Sequence, residues 1–198
     1  MKRMLVSAIA LAALATCSAG AGAGPAANPT VEMVIAGRGK VILELYPKEA
    51  PKTVAHITDL IKKGFYNGIV FHRVVPNFVV QAGDPKSIKW SAKEIADKGD
   101  GRGGTNGLGD GGSGLASLPL EVGSLTHETG TLGMARSSAP DSGDSQFFIN
   151  LKPNHSLDGG YCVFGRVLKG MDVVQKIRRG DRITQMKLLP TRPRQTAK

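Results

Sequence analysis

The stretch "FHRVVPNFVVQAGD", residues 71–84, holds two short apolar runs separated by Pro76, and its reading decides the fold. Alternation in the first run predicts a strand at 69–75 with Phe71, Arg73 and Val75 on one face and His72 on the other. Phe78-Val79-Val80 opens a second strand at 78–82. An arginine on the apolar side of such a pattern is costly unless it is paired or has chemical work to do. It can lie over aromatic side chains at a strand edge with its head in water. It can also be a charged group held in a pocket.

Upstream, "VEMVIAGRGKVILELYP" reads as a hairpin, with strands near 31–36 and 40–46 around Gly37-Arg38-Gly39. "EAPKTVAHITDLIKKGFY" then switches to helical spacing. Val54, Ile57, Leu60 and Ile61 fall on one face, Pro51 suits the first turn and Gly64 the stop. Downstream, residues 85–117 form a polar, glycine-rich insertion, read as a flexible loop, with the single tryptophan, Trp90. Short strand candidates follow at 130–135, 146–150 and 161–168, then a helix at 170–178 and a last strand in "ITQMKLL". Many short strands with two separate helices predict a mainly β fold: a closed antiparallel barrel with helices at its openings.

At 198 residues the chain fits one domain with a real core. Lys2 and Arg3 precede an apolar run to Ala15, and small residues continue to Gly24. That is the pattern of a secretory signal peptide, and the run is too short for a transmembrane anchor. The expected organisation is a signal peptide at 1–23, a leader at 24–30, a domain at 31–190 and a basic tail, "TRPRQTAK", at 191–198. A periplasmic or otherwise extracytoplasmic location follows, with lipidation at Cys17 the alternative to plain cleavage. Cleavage lowers the formal charge from +10 by two, to +8. Only Cys162 then remains, so no internal disulfide can form and a buried, inert thiol is expected.

Other chemistries find little support. The glycines at 99–112 twice fit G-x-G-x-x-G but neither follow a strand nor open a helix, which argues against nucleotide binding. His56, His72, His127 and His155 lack metal-ligand spacing and read as packing or surface residues. No nucleophile elbow or paired-carboxylate signature points to hydrolysis. Dispersed cations and aromatics at 5% make a nucleic-acid platform weak.

Three segments carry a resemblance: "FHRVVPNFVVQAGD", "GTLGMARSSAPDSGDSQFFIN" and "LDGGYCVFGRVLKGMDVVQKI". Together they resemble the cyclophilin family of peptidyl-prolyl cis–trans isomerases, particularly its exported bacterial members. The likeness runs from the first hairpin to the last strand and is weakest over 85–117. It implies an eight-stranded antiparallel barrel capped by two helices, with an active groove on its outer face. Arg73 falls on the family's catalytic arginine. Phe78, Val79, Gln81, Ala135, Arg136, Gln146, Phe148, Leu157 and Tyr161 fall on its substrate groove. Phe78, Phe148 and Leu157 are the implied walls of a proline pocket. No cofactor or metal is implied. The expected partners are proline-containing unfolded or extended polypeptides, and a monomer is expected. Val79, Arg136, Ser156 and Tyr161 depart from residues common in the family. Ser156 precedes "LDG" where tryptophan or phenylalanine is usual, so cyclosporin binding should be weak. The implied function is rotamase activity that assists the folding of exported proteins. The alternative is a proline-segment binding module or chaperone that uses the same groove with weak catalysis.

Overall fold

In the computed structural model, residues 27–97 and 107–190 are described; the expected signal peptide at 1–23, with Cys17, and the basic tail at 191–198 lie outside them. The first hairpin forms as its pattern demands, from β1 (Thr30–Ile35) and β2 (Gly39–Leu45). Val31, Met33 and Ile35 alternate into the core and meet Val41, Leu43 and Leu45 from the partner strand. Helix α1 (Pro51–Lys62) buries Val54, Ile57, Leu60 and Ile61. Its end is set by Gly64, whose φ of 69° is a left-handed conformation that glycine adopts without strain.

Six further strands follow: β3 (Arg73–Val75), β4 (Val79–Ala82), β5 (Thr131–Met134), β6 (Phe147–Asn150), β7 (Val163–Lys169) and β8 (Ile183–Leu188). All eight belong to one antiparallel sheet in the order β3-β4-β6-β5-β7-β2-β1-β8. The inner face is continuous with the apolar sides of the helices: Leu43, Phe71, Val80, Phe147, Phe164 and Ile183 share one core with Val54 and Leu60. A short helix, α3 (Met171–Gln175), adds Val174 to that core from a position against β2.

Expectations are corrected in two parts of the fold. The sheet is an open, curled half-barrel, not a closed one, because its end strands β3 and β8 share no ladder. The residues expected to extend β3 backward leave the strand and cross the segment ahead of β8 around a single bridge, Val70 to Arg182. Four bonds fasten that crossing: Gly68 N to Ile183 O at 2.7 Å, Ile183 N to Ile69 O and Phe71 N to Asp181 O at 2.8 Å, and Gly180 N to Phe71 O at 3.0 Å. Alternation therefore begins only at Arg73. Phe71 turns into the core while Arg73 faces outward, so the two do not share a face.

The second correction concerns the insertion. It holds a 3-10 turn (Pro85–Lys89) and a third α-helix, α2 (Ala92–Asp97), so the described helices number three, not two. Trp90 packs there with Val70, Ile95 and Leu108 in a small second cluster. No helix among the described residues is long and apolar enough to cross a membrane.

Candidate active site

The outer face of the sheet is assembled by register. Arg73 lies opposite Gln81, Gln81 opposite Phe148, and Phe148 opposite Gly133. Cross-strand partners point the same way, so these side chains form one row across four strands. Pro76 and Asn77 make the turn between β3 and β4, with Asn77 at φ 55° and Phe78 N bonded to Val75 O at 3.1 Å. That tight turn brings Phe78 back beside Arg73, whose guanidinium carbon lies 5.7 Å from the ring centroid.

Polar groups orient the arginine from its other side. Arg73 Nη1 donates to Gln81 Oε1 at 3.1 Å, and Gln81 Nε2 donates to Gln146 Oε1 at 3.0 Å. Gln146 Nε2 gives its two protons to the carbonyls of Gly109 and Gly111, both at 2.8 Å. Arg73, Gln81, Gln146, Ala135, Arg136 and the 109–112 turn line a groove of about 810 Å³.

Aromatic rings continue the site beyond Arg73. Phe148 lies flat over Gly133, where a Cβ would penetrate the ring. It stacks on His127 (centroids 5.6 Å apart, 21° between planes) and meets Tyr161 edge-on at 5.8 Å. Arg136 covers Tyr161 at 4.7 Å and donates to Gly160 O at 2.8 Å. Leu157 ends a 3-10 turn (His155–Leu157), and its carbonyl accepts from Tyr161 N at 3.2 Å. Val79 shares the outer face but is only 1% exposed, so it is a floor beneath the row. All ten residues singled out from the sequence are thus brought into one region.

Sequence reading missed the support behind the rings. Asn154 Nδ2 donates to Phe78 O at 3.1 Å and to Asn150 Oδ1 at 2.6 Å. Asn150 Nδ2 in turn donates to His127 Nδ1 at 3.1 Å. His127 is fully buried, and desolvation lowers its pKa, which keeps it neutral with its proton on Nε2 toward Tyr161 O. This network ties the Phe78 backbone to the ring under Phe148. Cys162 is buried, as expected, and burial pushes its thiol up to about 11.

Residues 30–195 match the family model described as cyclophilin type peptidyl-prolyl cis-trans isomerase/CLD. A probable peptidyl-prolyl cis-trans isomerase of Brucella suis is 43% identical over 176 residues, covering 88% of this chain and 85% of the relative. A peptidyl-prolyl cis-trans isomerase of Acinetobacter baylyi is 41% identical over 157 residues, with 76% and 72% covered. Among solved structures, a cyclophilin type isomerase of Cryptosporidium parvum superposes with a TM-score of 0.66 at 22% identity. That superposition covers 82% of this chain and 98% of the neighbour.

Proposed function

Because this chain belongs to the cyclophilin-type peptidyl-prolyl cis–trans isomerases, we propose that Arg73 is its catalytic residue and that its substrates are X-Pro bonds in exported polypeptides, whose folding it assists. The observation that carries this reading is the guanidinium held between the Phe78 ring and the Gln81 amide, in the same row as Phe148.

An X-Pro bond prefers trans by only about 0.5–1 kcal/mol, yet it isomerises over tens to hundreds of seconds. Amide resonance sets a barrier of roughly 18–20 kcal/mol. Turnover in about a millisecond needs a barrier of about 13 kcal/mol, so roughly 6 kcal/mol must come from contacts stronger in the twisted state. Twisting localises the lone pair on the proline nitrogen and makes it an acceptor. A guanidinium N–H fixed beside it stabilises that state directly.

One charge-assisted hydrogen bond contributes about 1.5–3 kcal/mol. The remainder comes from preorganisation in a dry pocket, where the donor does not reorient as the bond twists. Phe78, Phe148 and Leu157 supply that surface for the proline ring, and Val79 its floor. The residues before proline extend past Ala135 into the groove toward Gln146, with Arg136 and Tyr161 at its rim. A family neighbour was solved in the presence of the dipeptide Ala-Pro, which accords with a proline-sized pocket in this fold. The charged, apolar and small-residue order of residues 1–23 supports export to a periplasm.

The deciding experiment is a protease-coupled assay on Xaa-Pro peptides, with fractionation and N-terminal sequencing of the protein from cells. Arg73→Ala is expected to lose about 100-fold in rate while keeping the wild-type circular dichroism spectrum. A folded Arg73→Ala variant with wild-type rates would remove Arg73 from the mechanism. Peptide binding without turnover in the wild type would favour a binding module, and an intact Met1 chain in the cytoplasm would overturn export.

A further inference from the structure

The 109–113 turn lies in the glycine-rich insertion, yet groups outside the insertion grip it from three directions. Asp84, fully buried just after β4, accepts from Gly109 N at 2.5 Å and from Lys86 N at 2.8 Å. Asp144, just before β6, accepts from Ser113 N and Ser113 Oγ, both at 2.5 Å. His56 of α1 braces the same carboxylate, with Nε2 2.9 Å from Asp144 Oδ1. Between the two carboxylates, Gln146 Nε2 takes the carbonyls of Gly109 and Gly111. Anions thus hold the N–H groups at the ends, and an amide holds the carbonyls in the middle. The glycines permit this approach, since a Cβ at Gly111 would overlap Asp84 Oδ1 and one at Gly112 would overlap Asp144 Oδ2.

A side-chain amide has one acceptor and two donor protons, so fixing both protons fixes which way its oxygen points. Flipping Gln146 would set its oxygen against two carbonyls and its N–H groups against those of Gln81. The turn therefore orients Gln146, Gln146 orients Gln81, and Gln81 orients Arg73. We propose that the 109–113 turn, clamped by Asp144 and His56, is a positioning device for the isomerase: it holds the Gln146 and Gln81 amides in the one orientation that aims the Arg73 guanidinium. Asp144 and His56 are positioning residues, acting on the reaction through those two glutamines. This rests on Arg73 being the group that stabilises the twisted bond.

The test compares Asp144→Ala, His56→Ala, His56→Gln and Arg73→Ala in the full chain, with kcat and KM for the cis peptide measured separately. Asp144→Ala should lower kcat about tenfold, equivalent to about 1.4 kcal/mol, with KM held within about twofold. His56→Ala should do the same less strongly, and His56→Gln, which restores an N–H donor, should recover most of the rate. The side-chain amide NMR signals of Gln81 and Gln146 should move toward solvent-averaged positions in step with kcat. Should Asp144→Ala not fold, Ser113→Ala loosens the same clamp without touching a charge and must show the same pattern. Wild-type kcat in folded clamp variants, or a raised KM with kcat unchanged, would overturn the positioning role while Arg73→Ala stays inactive. Wild-type activity in Arg73→Ala would instead fail the underlying reading.

Discussion

Arg73 is confined by neighbours of two kinds, a ring beside its guanidinium and an amide that fixes one nitrogen. Phe148 is confined in the same double way, by His127 beneath it and Tyr161 at its edge. Ser156 has no such enclosure. It is exposed on the turn before Leu157, and the only tryptophan packs with Val70, Ile95 and Leu108 instead. A large apolar ligand such as cyclosporin would therefore find neither a flat contact nor an indole N–H at that point. Ser156→Trp should tighten cyclosporin binding by about 2 kcal/mol while changing peptide turnover only modestly. Titration calorimetry on both proteins measures this, and equal affinities would mean that another side chain already serves there. Arg73 was conspicuous in the sequence because a cation interrupts an apolar run. Asn150 and Asn154 were not, since nothing in their own segments marks them for burial and their partners beyond one another, His127 and Phe78, lie 23 and 76 residues away.

Helix α1 illustrates what local pattern can and cannot carry at the scale of an element. Its apolar spacing and its proline start are legible, but its first residue is preceded by Ala50, which offers no side-chain cap. The orphan N–H groups of Lys52 and Thr53 are taken at 3.0 and 2.7 Å by the two oxygens of Glu121, from far along the chain. Glu121→Ala should cost about 1 kcal/mol, read as a lowered urea midpoint with an unchanged slope. A midpoint equal to wild type would show that water caps the helix equally well. The first hairpin was legible because its alternation and its glycine turn agree. Strand β3 was over-read because Ile69 to Phe71 are as apolar as a strand requires, and only tertiary crossing draws them out of the ladder. Helix α2 was missed although a signal existed. Ser91 and Glu94 form a reciprocal capping box, with Ser91 N to Glu94 Oε2 at 2.8 Å and Glu94 N to Ser91 Oγ at 3.2 Å. The surrounding glycines outweighed it. The crossing at Val70 and Arg182 lay beyond sequence reading altogether, because it joins segments more than a hundred residues apart.

For the molecule as a whole, the buried histidines should contribute to the response to acid. His72 is fully buried, and desolvation lowers its pKa to about 4. In the unfolded chain the same ring titrates near about 6.5. Between those values the unfolded state holds a proton that the native state refuses, so stability is full above pH ~6.5 and declines as the pH falls toward 4. The loss from His72 alone approaches roughly 3 kcal/mol, and His127, shifted the same way by burial, adds to it. Urea midpoints at neutral and mildly acidic pH should differ strongly for the wild type and less for His72→Gln; equal pH dependence in the two would refute the assignment. The sheet order has a further consequence, for the timing of assembly. Strand β1 lies between β2 and β8, with Val31 opposite both Leu43 and Leu188. A nascent chain emerging N-terminus first can pair β1 with β2 early, but its other edge stays vacant until β8 has been synthesised. Contacts of such sequence separation form late. The edge of β1 that faces β8 is thus the last seam of the sheet to close, after every strand of the groove row already exists.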